Sequence, residues 1–202
     1  MARTGERGGP QTRARISEVA TRLFLDRGFD TVTVADVARE AGVSSVTVFK
    51  HFPRKEDLLL DRSDDAHELL RAAVRERAAG LDVQASLKAV AVTLSDSRHA
   101  LSGLEERSIP YFRTVASSPA LLARTREIGA DLQRTLLGEL ERDGSFTGDG
   151  PLLAAFFIAG YSTLLVRNAA RLLGGEASDT VARDHRARLD EMFDALRSGL
   201  GA

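Results

Sequence analysis

The segment from Ser44 to Lys55 has the clearest chemical pattern in this sequence. It carries the cationic side chains of Lys50, Arg54 and Lys55 and contains no aspartate or glutamate. Cations and short hydroxyl groups contact phosphate oxygens, whereas a carboxylate at the same place would repel them. The segment is therefore suited to contact with a polyanion.

Two short helices around Gly42 are predicted to position this segment. Thr33 to Asp36 has the spacing of a capping box, Ser44 is placed to cap the next helix, and Pro53 ends that helix. The inward residues are predicted to be Val34, Val37, Ala38 and Ala41 in the first of these helices and Val48, Phe49 and Phe52 in the second. Two helices joined by such a turn form a helix-turn-helix.

The outward side of the second helix has small or cationic groups. They are Ser45, Val46, Thr47, Lys50 and His51. Such groups enter a major groove about 12 Å wide without an acidic residue to repel the backbone. The alternative is an ordinary turn between two amphipathic helices, but the cap, the glycine and the outward chemistry all favour a DNA-binding unit. For His51 alone, a packed or solvated histidine is a further alternative.

The rest of the chain repeats apolar residues at helical spacing, and no alternating strand of useful length is found. We predict an all-α fold of about nine helices. A three-helix head over residues 1–54 is followed by a helical body over residues 55–202. Helices after the head are predicted at about 55–79, 83–101, 105–115 (broken or kinked by Pro110), 120–142, 152–173 and 181–200.

The amino-acid composition excludes several classes of protein and of site. The 202 residues are 43% hydrophobic and 28% charged, which is typical of a globular protein, and cysteine is absent, which excludes disulfides and thiolate metal sites. No secretory signal and no run of about 18 apolar residues is found, so we expect a cytoplasmic protein without a membrane span.

The net charge of −1 hides an uneven distribution. Residues 1–15 and 44–55 each carry a net charge of +3, which leaves −7 for the remainder. A basic tip and an acidic body would orient the head towards DNA. The arginines Arg3, Arg7, Arg13 and Arg15 are predicted to form a flexible arm that reaches the minor groove. A solubilising tail is the alternative.

The stretch from Thr31 to Leu58, TVTVADVAREAGVSSVTVFKHFPRKEDL, resembles the DNA-binding motif of the TetR/AcrR family of bacterial transcriptional regulators. The preceding LFLDRGF, residues 23–29, is also similar to the family pattern. The resemblance implies a homodimeric repressor, less often an activator, which a small molecule releases from a palindromic operator. In the body the resemblance is only architectural, to a ligand-binding and dimerisation domain.

The resemblance also implies roles for individual residues. Thr33 would contact phosphate, Thr47 would reach the backbone or a base edge, and Lys50 and His51 would hold the flanking backbone. Lys55 would open the fourth helix and bind another phosphate. The full predicted DNA-binding set is Thr33, Ser44, Ser45, Val46, Thr47, Phe49, Lys50, His51 and Lys55.

Three positions depart from the family pattern. Phe49 stands where tyrosine is common, so it lacks the hydroxyl often given to phosphate and would serve packing alone. Val46 replaces a small residue and would meet a thymine methyl group. Arg54 replaces a frequent Ser or Thr cap, which would weaken the next helix by about 1 kcal/mol while adding a phosphate partner.

In the family the effector pocket lies within the body, and we expect a mostly hydrophobic cavity with a few polar groups. The candidate ligand residues are His99, Tyr111, Phe112, Phe156, Phe157, Tyr161 and Asn168. A packed core or a satisfied internal hydrogen bond explains each of them equally well. Homodimerisation is expected through helices at 152–173 and 181–200, because a helix that is apolar nearly all round must be covered all round. The alternative is burial within one subunit.

The sequence gives little support for an enzymatic function. The four histidines lack the i, i+4 pairing of a zinc helix, and no nucleophile elbow, P-loop or dinucleotide fingerprint is present. We expect no catalytic residue, no metal and no cofactor. The main alternative function is a helical small-molecule binding or sequestering protein that does not bind an operator.

Overall fold

The computed structural model describes residues 9–200, which form nine α-helices and no strand. The predicted all-α fold is therefore confirmed. The helices are α1 Gly9–Arg27, α2 Val34–Glu40, α3 Ser45–His51, α4 Ser63–Arg75, α5 Val83–Asp96, α6 Ile109–Ser117, α7 Pro119–Arg142, α8 Gly150–Leu173 and α9 Ser178–Leu200.

The fourth helix differs from the prediction of 55–79. A 3-10 turn over Glu56–Leu58 comes first, and α4 begins only at Ser63. Leu58, Leu59 and Leu60 are all buried. Three consecutive residues of an α-helix point in three directions, so a helix at the surface cannot bury all three. The chain therefore forms a tighter turn here instead of an α-helix.

Two further helix boundaries also differ. The fifth helix ends at Asp96 rather than near residue 101, and Arg98 follows it with a φ of 48°, in the left-handed region. Pro110 does not break the sixth helix. It lies in the first turn of α6, where the missing N–H has no intrahelical partner to lose.

The residues fall into two compact units. The first contains the residues up to Asp61 together with Arg113–Thr125, and the second contains Arg62–Phe112 together with the residues from Arg126 onward. The predicted functional division at residue 54 remains a prediction.

Each unit has its own apolar interior. The first buries, among others, Ile16, Ala20, Leu23, Phe24, Phe29, Val37, Ala38, Val48, Phe52 and Leu58. The main core of the second is formed by Leu70, Ala73, Val74, Val83, Leu87, Ala91, Leu136, Leu140, Leu153, Ala154, Phe157, Leu164, Leu189, Phe193 and Leu196. A smaller cluster of Leu104, Leu172 and Val181 lies beside it in the same unit.

Helix α8 packs closely on α9 but keeps an exposed apolar side. A Cβ atom on Gly160 would lie 2.8 Å from Sδ of Met192, so glycine permits the close approach of α8 and α9 within the chain. Leu152, Phe156 and Val166 nevertheless expose 44%, 52% and 68% of their surfaces. The predicted alternative, complete burial of α8 within one subunit, is therefore wrong for the chain as described.

By length and composition α8 is also able to cross a membrane. Its most apolar window has a mean hydropathy of 1.4, and a third of that window is buried within the chain. The core helices of proteins that never enter a membrane have the same character. The expected absence of a membrane span therefore remains a prediction.

Candidate functional site

Helix α2 begins at a complete capping box. The Oγ1 of Thr33 accepts a hydrogen bond from the Asp36 amide at 3.1 Å, and the Asp36 carboxylate accepts from the Thr33 amide at 3.0 Å and from its hydroxyl at 2.6 Å. Hydrogen bonds from Thr33, and then from Arg39, lower the pKa of Asp36 to about 2. The predicted capping box is confirmed, and it fixes Thr33 at the exposed start of α2.

The turn between α2 and α3 also has its predicted form. Gly42 has a φ of +65°, a conformation that favours glycine, and the Val43 amide donates to the Ala38 carbonyl at 2.9 Å. Ser44 then caps α3, because its Oγ accepts from the Thr47 amide at 3.1 Å and lies 2.9 Å from the Thr47 hydroxyl. Both hydroxyl groups are thereby placed at the positive end of α3.

Helix α3 has one buried and one exposed face. Val48 and Phe52 are buried, one helical turn apart. Val46 exposes 80% of its surface and Phe49 exposes 51%, beside an exposed Lys50. The prediction that Phe49 packs inward is wrong, because it lies about 100° around the helix from Val48.

Arg13 fastens the carboxyl end of α3 to α1. Its Nη1 donates to the carbonyl of His51 at 2.7 Å, and its guanidinium lies 4.3 Å from the ring centroid of Phe52. A cation at a helix carboxyl end is favourable. Arg13 and Arg15 therefore belong to α1 and not to a flexible arm, and the predicted arm residues Arg3 and Arg7 lie outside the described residues.

Lys55 is occupied within the head. Its Nζ donates to the carbonyl of Phe29 at 2.6 Å and lies 4.2 Å from the Phe29 ring centroid. Burial lowers the pKa of this ammonium, although Asp30 and Glu56 act in the opposite direction. Lys55 does not open the fourth helix as predicted, since it precedes the 3-10 turn. Its phosphate contact remains a prediction.

The candidate ligand residues Phe157 and Tyr161 meet in the core of the body. Their rings stack at 6.0 Å, and the Tyr161 hydroxyl donates to the Leu101 carbonyl at 3.2 Å. Burial raises the pKa of Tyr161 to about 12. Tyr161 therefore fits the predicted alternative, in which the residue makes an internal hydrogen bond instead of contacting a ligand.

Asn168 is likewise occupied by its own chain. It is buried, and its Nδ2 lies 3.0 Å from Nδ1 of His185 and 3.5 Å from the Ser102 carbonyl. His185 is fully buried, and its Nε2 has no hydrogen-bond partner among the described residues. The helical spacing of Val181, His185 and Leu189 places His185 in the apolar stripe of α9, but it gives no sign of the link to Asn168.

The other four ligand candidates are His99, Tyr111, Phe112 and Phe156. His99 caps a short 3-10 turn through its Nδ1, Tyr111 meets Phe112 edge to face at 5.9 Å, and Phe156 is exposed. A cavity of about 510 Å³ between α4 and α7 is polar and is lined by none of the seven residues, so the predicted ligand residues and their mostly hydrophobic pocket remain predictions. The residues 9–200 also contain no group of three or more acidic, histidine or cysteine residues placed to hold a metal ion.

Protonation of His185 is expected to destabilise the fold. Burial, and then Arg186, lower its pKa below the usual 6.5, so the folded chain holds this imidazole neutral. As the pH falls below about 6.5, the unfolded chain binds a proton that the folded chain does not, and the free energy of unfolding falls by at most about 1.4 kcal/mol per pH unit. Denaturant titrations at pH 7.5 and at lower pH check this expectation. His185→Gln should lose less stability than the parent chain, and an equal loss in both would contradict it.

The comparisons with known proteins point in one direction. Residues 16–61 match the family model described as bacterial regulatory proteins, tetR family. The transcriptional repressor KstR2 of Rhodococcus jostii is 29% identical over 92% of this chain and 91% of its own length. The regulator TtgR of Pseudomonas putida is 38% identical, but the match covers only 34% of this chain and 32% of that protein.

A solved structure has the same fold. The structure of FadR from Thermus thermophilus, a TetR-family transcriptional repressor in complex with lauroyl-CoA, aligns with a TM-score of 0.60. The alignment covers 94% of this chain and 95% of the FadR chain, at 24% sequence identity.

Proposed function

The chain belongs to the TetR family of bacterial transcriptional regulators, and from that premise we propose that it is a ligand-responsive repressor that binds a palindromic operator as a homodimer. The observation that carries the proposal is the exposed face of α3. It combines hydroxyl groups, Lys50 and exposed apolar side chains, and no acidic residue lies between Ser44 and Lys55. Such a face suits phosphate contact and major-groove reading together.

The contacts with DNA are divided between two kinds of residue. Thr33, Ser44, Lys50 and His51 position the head on phosphates, while Ser45, Val46 and Thr47 face the bases. Phe49, half exposed beside Val46, adds apolar contact. Lys55 donates one of its three N–H groups to the Phe29 carbonyl, so a phosphate contact would use another of them.

Pairing of two chains is supported by the apolar side of α8 and the adjoining surface of α9. Phe156, Met192, Ala195, Leu196 and Gly199 line a shallow apolar groove of about 240 Å³. A two-fold axis would cover this surface with the same surface of a second copy. The two α3 helices must then lie about 34–36 Å apart, or a multiple of that, to enter successive grooves.

The body, residues 55–202, binds the effector in this proposal, and the protein works in the cytoplasm without enzymatic activity. The expected effector is a small, mostly hydrophobic molecule. It releases the operator by favouring one separation of the two α3 helices, to the extent of its differential affinity for the two states. The rival is a small-molecule binding or sequestering protein without operator binding.

Replacing Lys50 with alanine separates these two functions. Each phosphate that the side chain no longer neutralises should reduce the slope of log affinity against log salt concentration by about 0.9, so affinity falls most at low salt. Binding to DNA selected in vitro from random sequence, measured over a range of salt, gives this slope. Lys88→Ala on α5 is the matched control, since it removes the same charge from the body.

The two candidate functions predict different outcomes of this experiment. A palindromic selected sequence and a reduced slope for Lys50→Ala, but not for Lys88→Ala, support the repressor. Unchanged affinity in both Lys50→Ala and Thr47→Ala, with no salt dependence, would establish the sequestering protein instead. Binding of a single chain to an asymmetric site would contradict the homodimer.

A further inference from the structure

The polar cavity between α4 and α7 lies wholly within the second compact unit. Its volume of about 510 Å³ is in the usual range for small-molecule sites. Two helical stripes face each other across it, one from each helix. They contribute His67, Arg71 and Arg75 from α4 and Asp131, Arg134, Thr135, Gly138, Glu139 and Arg142 from α7.

One buried carboxylate binds two arginines in this cavity. Glu139 is only 4% exposed, and Arg75 donates to it through Nε at 2.6 Å and Nη2 at 2.7 Å. Arg142 contacts the same carboxylate at 3.2 Å and donates to the Gly138 carbonyl at 2.8 Å. A single negative charge therefore holds two guanidinium groups, whose side chains remain largely exposed.

The charged side chains that line the cavity include more cations than anions. Arg134 pairs with Asp131, and Arg71 pairs with Glu68 at 3.1 Å. The lining has four arginines against two carboxylates, whereas the acidic residues Glu68 and Asp64, which act on Arg75 and His67, lie outside the lining. Each guanidinium has five N–H donors, so pairings of one or two bonds leave donors for a further acceptor.

His67 and Thr135 add polarity without charge. Nδ1 of His67 lies 2.8 Å from the Thr135 hydroxyl, which joins the two helices across the cavity. Burial, and then Arg71, lower the pKa of His67, so its imidazole is neutral at pH 7. The positive charge of the cavity therefore comes from arginine alone and does not change between pH 7 and 8.

We propose that this cavity binds a small organic anion that carries a phosphate or carboxylate group. Arg71, Arg75 and Arg142 supply the charged donors, and planar guanidinium groups match both kinds of oxyanion bidentately. Glu68 and Asp131 lower the positive charge beside these arginines, so the site suits a compact anion that contacts the guanidinium groups alone. This ligand site is separate from the seven predicted effector residues, and its occupation does not require DNA.

Thermal unfolding and calorimetric titration of the full chain test the site with pyrophosphate and citrate as probes. Sodium chloride at equal ionic strength corrects for general screening. The test variant is Arg71→Gln with Arg142→Gln, which removes two of the three proposed donors and leaves the Arg75–Glu139 pair intact. The matched control is Arg113→Gln with Arg126→Gln, two exposed arginines of α6 and α7.

We expect at least one probe to raise the melting temperature of the parent chain and of the control beyond the chloride baseline. The test variant should bind that probe at least tenfold more weakly. A response to pyrophosphate alone identifies a phosphate ligand, and a response to citrate alone identifies a carboxylate ligand. No response beyond chloride, or equal binding by both double variants, would overturn the proposal. Operator binding measured on the same parent chain tests the proposed function independently.

Discussion

Replacing Phe156 with aspartate is expected to separate the proposed dimer and lower operator affinity at least 100-fold. The side chain is half exposed in one chain and lies beside the apolar groove formed with α9. In a two-fold interface the substitution appears twice, so two carboxylates would be buried without partners. Loss of the second binding unit then removes the avidity of the linked heads, commonly a factor of about 100 to 10,000.

Sedimentation velocity and gel-shift titration on the selected DNA measure the two effects of Phe156→Asp. The control is Leu81→Asp, which places the same charge on another exposed apolar residue, in the connection before α5. The control should remain dimeric with unchanged affinity. A Phe156→Asp chain that stays dimeric and binds normally would place the interface elsewhere.

Replacing Phe193 with alanine is expected to lower the free energy of unfolding by about 3–5 kcal/mol. This ring is 1% exposed and packs against Phe157 at 5.8 Å, and Phe157 in turn stacks on Tyr161. Removing it costs the burial of the ring and leaves a cavity that a close-packed helix pair fills only partly. At about 2–4 °C per kcal/mol the melting temperature should fall by roughly 6–20 °C.

Denaturant unfolding at fixed protein concentration checks the Phe193→Ala value, since dimerisation contributes to apparent stability. Leu122→Ala on α7 is the control, because this leucine is exposed and its truncation should change stability by no more than about 0.5 kcal/mol. Phe193→Leu should retain most of the stability. A loss below about 1 kcal/mol in Phe193→Ala would show that the α8 and α9 core collapses around the gap.

The head was predictable because its signals are local. The capping box at Thr33, the turn at Gly42 and the cap at Ser44 each depend on residues three or four apart, and each is confirmed. The start of α4 was not predictable in the same way. Its position depends on burial of Leu58, Leu59 and Leu60, which the helix pattern alone does not reveal.

The polar sites of the body depend on tertiary packing. Arg75 and Glu139 are 64 residues apart in sequence and meet only because α4 packs beside α7. Asn168 is one of the predicted ligand residues, but its partner His185 lies 17 residues away on another helix. No rule of sequence spacing predicts such pairs. The candidate ligand residues therefore include residues whose polar groups already form hydrogen bonds within the chain.

The exposure of Val46 has a consequence for the conditions under which the protein works. In the proposed complex, the phosphate contacts of Lys50 and its neighbours lose strength as counterions accumulate, whereas contact between a valine and a thymine methyl group displaces no ions. A rising salt concentration would therefore weaken attachment to DNA in general but leave the apolar part of base reading intact. Under osmotic stress a larger share of the remaining binding free energy would come from sequence, and a regulator of the proposed kind would leave bulk DNA before it lost the ability to choose its operator.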